Sequence, residues 1–350
     1  MSATTPSPSD APAGAQPESV MTATPSPPPT GRTSSPRTHG WRSHAPRWHR
    51  VAEWGIRGVA LAAVLAIVLI FVFIAMEALP VFYSQEVRSE VTPGSMWLPQ
   101  HGGAQGSYVW QPTSEVPKYS IIPLVIGTLK VTAVSILIAA PLAILAAIFV
   151  AHIAPRWLRE LVKPAIEMLA GVPSVVLGVF ALMLLASWSK DAFGFEYRLN
   201  AFVAGAALSL AVIPIVFTLS EDALTSVPRE FVDASLALGA TKMHTLFRVV
   251  VPAALPGIVA GIILGFGRAI GETMIVLIAS GNAALTDANI GHSTRTITAT
   301  IAQEMSEVVH GSPHYVALFY LGATLLVFTL MTNVIAQRIA ERFRRKRGAT

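Results

Sequence analysis

The chain has 350 residues, 53% of them hydrophobic and only 13% charged, with a mean hydropathy of +0.56. Soluble domains average about 25% charged residues, so this composition excludes an ordinary soluble globular protein and describes a multi-pass membrane protein. The formal charge of +5 requires no nucleic-acid partner, because Lys and Arg gathered on one side of a membrane account for it. With no cysteine in the chain, disulfides and thiolate metal sites are excluded.

In chain order, residues 1–50 come first, rich in Pro, Ser, Thr, Ala and Arg and poor in large apolar residues before Trp41. They cannot bury enough surface to fold and read as a disordered cytoplasmic tail. The first apolar run begins beyond them and no small-residue cleavage pattern follows it, so it reads as an anchor and not as a secretory signal. Crossing a bilayer takes roughly 20 apolar residues, and six segments qualify: about Trp54 to Met76, Pro123 to Ile153, Met168 to Trp188, Ala201 to Ser220, Pro256 to Ser280 and Tyr315 to Gln337. The second carries Pro141 and is longer than a straight crossing needs, which predicts a kink or tilt. Residues 51–122 form a first membrane helix and an outside segment, and 123–338 a core of five spans. A basic cytoplasmic tail, 339–350, follows.

Orientation follows the positive residues. With the N-terminus inside, the inner segments hold Arg32 to Arg57, then Arg156, Arg159 and Lys163, then Arg229, Lys242 and Arg248, then Arg338 to Arg347. The outer segments hold only Arg88, Lys118, Lys190, Arg198 and Arg295, so both termini are expected in the cytoplasm. The outside segment from about Glu77 to Ile122 is long for a connector. It either folds over the external face to contact a partner or merely links an extra helix to the core.

Arg268 and Glu272 stand four residues apart in the fifth apolar stretch. At that spacing two side chains on one helix project from nearly the same face. A charge at membrane depth costs roughly 2.5–3.5 kcal/mol or more, and so faces protein or a water-filled path. The pair marks either a route for a hydrophilic solute or a self-neutralising bridge that locks helix packing. Gly257, Gly261 and Gly265 form one small-residue ridge, and Gly267 with Gly271 another, so close helix packing is expected beside the pair. Catalytic motifs are missing: the chain has no G-x-x-x-x-G-K-[ST] loop, no H-E-x-x-H, no G-x-S-x-G and no Cys/His zinc pattern.

The connection between the fourth and fifth spans, within residues 221–252, reads Asp233-Ala234-Ser235-Leu-Ala-Leu-Gly239-Ala240, and nine residues past the glycine Val249-Val-Val251-Pro252. A short helix from Phe231 to Leu238, ended by Gly239 in the left-handed conformation, and a second from Lys242 to Val250 before Pro252 would make a compact knob. This segment resembles the EAA loop of ABC importer permeases, with Asp233 for the usual Glu, Ser235 for Ala, Val249 for Ile and Val251 for Leu. Ile126-Gly-Thr-Leu129, Glu167-Met-Leu-Ala-Gly-Val-Pro-Ser-Val-Val-Leu-Gly178 and Gly267-Arg-Ala-Ile-Gly-Glu-Thr-Met274 extend the resemblance to the phosphate-specific ABC importer permeases. It covers about Ile121 to Arg338. Gly271-Glu-Thr-Met274, Gly281-Asn282 and Thr296 to Ala302 look like the PstC type more than the PstA type.

The resemblance implies an all-α integral membrane protein of six helices with a type I, MetI-like permease core in a bacterial inner membrane, surrounded by lipid. It implies a transport subunit and not an enzyme, binding no cofactor itself. ATP and Mg would belong to a pair of cytoplasmic ATPases gripping Asp233 to Pro252; a PstA-type permease and an extracytoplasmic phosphate-binding protein would complete the assembly, with no nucleic acid. On a phosphate path, Arg268 would offer a fork of donors to the anion, while Glu272 accepts the hydroxyl that phosphate has and sulfate lacks. Ser174 lines the path or satisfies backbone at a turn, and Thr273 has the same standing. Glu167 is expected to complement the N-terminus of the third span, and Lys130 to snorkel. His292, His310 and His314 have no metal-binding spacing. A permease for sulfate or molybdate is the nearest alternative, and an ATP-independent channel or carrier the more distant one.

Overall fold

A computed structural model describes residues 47–99 and 108–348. Most of the expected N-terminal tail lies outside the described residues. The chain divides into two compact units, Met1–Ala60 and Leu61–Thr350. In the first, the described residues belong to the start of helix α1 (Arg47–Ala78), so helix already occupies the last residues assigned to the tail. An exposed pair, Arg57 to Glu53 at 2.6 Å, lies there.

In the second unit α1 is apolar all round, and its Leu61, Ile67, Leu69 and Phe73 are exposed. A helix of that kind is built to meet lipid or other helices. Three short helices follow: α2 (Pro80–Tyr83), α3 (Gln85–Glu90) and α4 (Pro93–Trp97). Thr92 and Ser95 cap α4 reciprocally. Strands β1 (Trp110–Gln111) and β2 (Lys118–Tyr119) then pair antiparallel, with Trp110 opposite Tyr119 and their rings edge to face at 5.6 Å. Val81, Val87, Met96, Trp110 and Tyr119 bury themselves with Tyr315, Leu318 and Leu321 of the last helix. The segment after the first span thus folds as a small cap that shares its core with the last helix.

Helix α5 (Ile122–Ile148) runs on through Pro141 and ends in a π-turn over Phe149–Ile153. Arg159, on α6 (Arg156–Leu169), closes that end: its Nε donates to the Val150 carbonyl at 2.8 Å and its Nη2 to that of Ala151 at 2.6 Å. A cation is well placed against such orphan carbonyls. The third span contains α7 (Ser174–Phe180), a π-turn over Ala181–Leu185 and α8 (Ala186–Phe193). It begins at Ser174 and not at Met168, because Met168 closes the amphipathic α6 and a turn through Gly171 and Pro173 intervenes. Glu167 accordingly lies in the last turn of α6, where it complements no helix N-terminus.

Helix α9 (Ala201–Thr225) is the hub of the fold. Ala139, Ala143 and Ala147 of α5 and Ala204, Ala207 and Ala211 of α9 are buried in one cluster, and Gly205 brings the two backbones close. A Cβ on Gly205 would lie 2.6 Å from Val134 Cβ and 2.9 Å from the Val131 carbonyl. Without water to drive them together, membrane helices pack tightly through small residues. Helices α10 (Arg229–Ala237), α11 (Lys242–Thr245), α12 (Val251–Gly271), α13 (Met274–Ala279), α14 (Ile297–Glu304) and α15 (Pro313–Gly348) complete the chain. Within α15 lie most of the residues assigned to a basic tail.

Among the described residues six helices are long and apolar enough to cross a membrane: Ala52–Tyr83, Ile122–Ile153, Ser174–Phe193, Ala201–Thr225, Lys242–Gly271 and Pro313–Ile335. Among the described residues the fold is all-α apart from the two-residue strands. The fifth span differs most from expectation. It starts at Lys242, because a π-turn over Leu246–Val250 carries helix directly into Pro252, and it stops at Gly271 instead of reaching Ser280.

Candidate functional site

That stop breaks the helix between the two expected charges. Arg268 lies in the last turn of α12, whereas Glu272 has φ −72° and ψ 132°, an extended conformation. The expectation of one continuous helical face for the pair is therefore corrected. No Arg268–Glu272 bridge occurs among the described residues. Glu272 turns the other way: its Oε1 accepts the Met274 N–H at 3.2 Å, and its carbonyl accepts the Thr298 hydroxyl at 2.9 Å. Thr273 Oγ1 lies 3.5 Å from the Gly271 carbonyl, at the limit of a hydrogen bond. Irregular backbone at membrane depth persists only where protein or a water-filled cavity receives it.

The depth of the break follows from its neighbours. A Cβ on Gly265 would meet Val216 Cγ2 at 2.8 Å, Val212 Cγ1 at 3.0 Å and Ile136 Cδ1 at 3.9 Å. Val212 and Ile136 lie near the middle of the fourth and second spans, and Arg268 stands about one turn further along α12. Arg268 is exposed, as are Leu264 and Gly271 on the same stripe, and it makes no hydrogen bond or ion pair among the described residues. Ser174 opens α7, which packs on α13: Gly178, one turn on, admits Ile278 Cδ1 and the Met274 carbonyl to 2.9 and 3.3 Å of its would-be Cβ. The fold thus gathers Arg268, Glu272 and Thr273 around the break and sets the helix of Ser174 against the segment after it.

The glycines divide. Gly257, Gly261 and Gly265 lie against α9: a Cβ on Gly257 would collide with Ala223 Cβ, and one on Gly261 would come within 3.1 Å of Leu219 Cβ. Gly267 faces Asn333 Oδ1 at 3.4 Å from a would-be Cβ. Gly271 does not fit the packing expected of it, for a Cβ there meets nothing within 4 Å. It leaves the space beside Arg268 open.

At the other end of α12, Pro228 precedes α10, Gly239 takes φ +85°, and the Thr241 side chain caps α11 by accepting the His244 N–H. Ser235 Oγ and Thr245 Oγ1, 2.9 Å apart, tie the two helices. Asp233, Ala234 and Gly239 are exposed and Ala240 is half-buried. Leu238 is 90% exposed, an apolar tip that none of the described residues covers. Beside it opens a cleft of about 540 Å³ lined by Ser235, Gly239, His244 and Arg248, among others. Pro252 begins α12 with no break before it.

Three polar clusters escape a reading of the sequence. Lys163 Nζ lies 2.7 Å from Glu221 Oε2, a carboxylate whose residue is buried, and that hydrogen bond holds the Lys163 amine above the ordinary lysine value against the opposing effect of burial. Lys130, expected to snorkel, is half-buried and reaches the loop after α13, bonded to Asp287 at 3.4 Å and to the Asn289 carbonyl at 3.2 Å. Burial pushes the Asp287 carboxyl up, yet its bond to His292 and the charge of Lys130 bring it below its usual value. Glu304 receives Arg295 at 2.9 Å, His314 at 2.9 Å and the Trp110 indole at 3.1 Å, joining the cap to α14 and α15. Burial first, then the charges of Glu90 and Glu304, push the Tyr119 hydroxyl nearby up to about 12. Spacing in the sequence does not predict the links of Lys163 to Glu221, Lys130 to Asp287 and Trp110 to Glu304, because those partners are far apart along the chain.

Comparison with known proteins agrees with this architecture. The family model for "binding-protein-dependent transport system inner membrane component" matches residues 139–345. The probable ABC transporter permease protein YqgH of Bacillus subtilis is 35% identical over 67% of this chain and 75% of its own length. The phosphate transport system permease protein PstC of Pasteurella multocida is 32% identical over 68% of this chain and 79% of its own. Among solved structures, a bacterial ABC transporter involved in the import of the acidic polysaccharide alginate covers 84% of this chain and 98% of its own, at a TM-score of 0.55 and 14% identity, and shares the fold. On the family match and these relatives, the chain belongs to the binding-protein-dependent transport system inner membrane components, the permeases of ABC importers.

Proposed function

We propose that this permease conducts inorganic phosphate, with Arg268 and Glu272 on its path and both termini in the cytoplasm. The observation that carries the reading is Arg268: a guanidinium without a partner among the described residues, exposed about one turn from the level where α5 and α9 are half-way through their spans. Such a charge is costly against lipid. It becomes favourable where a second subunit closes a polar path over the stripe of Leu264, Arg268 and Gly271. The planar guanidinium presents paired donors to a tetrahedral oxyanion. Glu272 has one carboxylate oxygen engaged by Met274 N–H, so the other is available to accept the hydroxyl that phosphate retains near neutral pH. A carboxylate on the same path also keeps occupancy weak, which conduction requires.

The relatives named as phosphate permeases support the choice of substrate. Under this reading a PstA-type permease covers the Arg268 stripe and two ATPases grip the Asp233 to Pro252 knob at Leu238. A phosphate-binding protein then delivers the anion from the other side. Ser174 and Thr273 border the path. The test is uptake of labelled phosphate, with labelled sulfate as control, in cells lacking the chain and in the same cells complemented with it. Selective loss and recovery of phosphate uptake supports the assignment. Unchanged phosphate uptake with loss of sulfate uptake moves it to a sibling oxyanion.

A further inference from the structure

The break at Glu272 is held from outside the helix. In the extended conformation of Glu272 the carbonyl leaves the axis of α12, and a buried carbonyl without a donor is costly. The donor is Thr298 Oγ1 at 2.9 Å, from the first turn of α14. Thr298 is itself buried, and it is fixed in place. Thr296 caps α14 by accepting the Ala299 N–H at 3.3 Å, and its Oγ1 lies 3.3 Å from that of Thr298. Ile297 N–H donates to Thr128 Oγ1 on α5 at 3.2 Å, and Thr128 in turn bonds the Leu124 carbonyl at 2.8 Å. Gly127, next to Thr128, admits the backbone of Arg295, where any side chain would collide with it. The first turn of α14 is therefore anchored on α5 and reaches the break through one hydroxyl.

We infer that Thr298 is the positioning residue of the break: its hydrogen bond keeps the Glu272 carbonyl out of the helical ladder and so sets the direction of the Glu272 carboxylate and the reach of Arg268. The consequence for transport rests on the function proposed above. The consequence for geometry does not. Replacing the hydroxyl by a methyl group in Thr298→Val keeps the shape and removes the only donor to that carbonyl found among the described residues. The carbonyl must then find another donor, and the simplest is the backbone of the next turn, which would continue α12 through the break.

The test uses the assembled transport complex. Thr298→Val is expected to lower the maximal rate of phosphate uptake about tenfold or more, as small misplacements at a site do. The half-saturating phosphate concentration and the yield of complex should stay unchanged. Thr298→Ser restores the hydroxyl and should restore the rate. Because the chain has no cysteine, Gly271→Cys offers a single thiol beside the break, in open space. Its rate of modification by a charged methanethiosulfonate should change several-fold when Thr298→Val is added and return with Thr298→Ser. An uptake rate unaffected by Thr298→Val, a loss that serine does not restore, or a thiol whose reactivity is indifferent to position 298 overturns the inference. Should the unaltered complex take up no phosphate, the functional reading fails, and the thiol measurement still decides the role of Thr298.

Discussion

Glycines of one helix do opposite things. Gly257 and Gly271 both belong to α12 and both read in the sequence as packing residues. Only Gly257 has a neighbour, the Cβ of Ala223, an atom that cannot rotate aside. Gly257→Ala is therefore expected to destabilise the purified complex by about 1–3 kcal/mol through overpacking, read as a lowered unfolding midpoint. Gly271→Ala meets open space and should leave that midpoint unchanged or raised, since alanine exceeds glycine in helix propensity by about 1 kcal/mol. A lowered midpoint for Gly271→Ala would mean that the space is packed by another part of the protein or by the second permease, and not left as the open path proposed over the Arg268 stripe. The ridge pattern of the sequence marked close packing against a neighbouring helix without naming α9. It could not say which glycine faced a neighbour, because that depends on where α12 ends.

At the scale of elements, hydropathy and spacing located the six spans, and the second and fourth to within a few residues. Two features were invisible to them. A break of two residues, Glu272 and Thr273, does not interrupt an apolar run, so the fifth span was placed too far along. Helix α6 mixes Trp157, Leu161 and Met168 with Arg156, Arg159, Glu160, Lys163 and Glu167, so it never forms an apolar run at all. Its fixed point is the Lys163–Glu221 pair. Lys163→Met leaves the buried Glu221 without its cation, and is expected to cost about 1–3 kcal/mol at neutral pH. The amine of Lys163 titrates above its ordinary value of 10.5 in the folded state. The stabilisation is therefore full below that value and is lost as pH rises through the raised one. The difference in unfolding midpoint between Lys163→Met and the unaltered protein should persist from pH 6 to 9, roughly, and shrink only in strong alkali. A difference that vanished near neutrality would contradict the pair.

For the whole molecule, the distribution of Lys and Arg predicts the cap on the outside with the Asp233 to Pro252 knob inside. The lack of cysteine makes this directly measurable. A thiol at Glu115, exposed between β1 and β2, should react with an impermeant reagent in intact cells, and one at Leu238 only after permeabilisation. The reverse pattern would invert the protein and place the knob out of reach of any cytoplasmic ATPase. The candidate site was legible as a pair of charges in an apolar stretch. What the sequence withheld was that the pair straddles a helix break, since the hydroxyl that holds the break comes from Thr298, far along the chain. The polar links of Trp110 to Glu304, Lys130 to Asp287 and Lys163 to Glu221 were hidden for the same reason.

Charge reversal at Arg268 decides whether an anion passes that residue. Labelled-phosphate uptake should fall to background in cells whose only copy of the chain carries Arg268→Glu, with the complex assembled in normal amount, while Arg268→Lys retains part of the rate. Normal phosphate uptake by the Arg268→Glu complex would mean that the anion takes a path that does not pass Arg268.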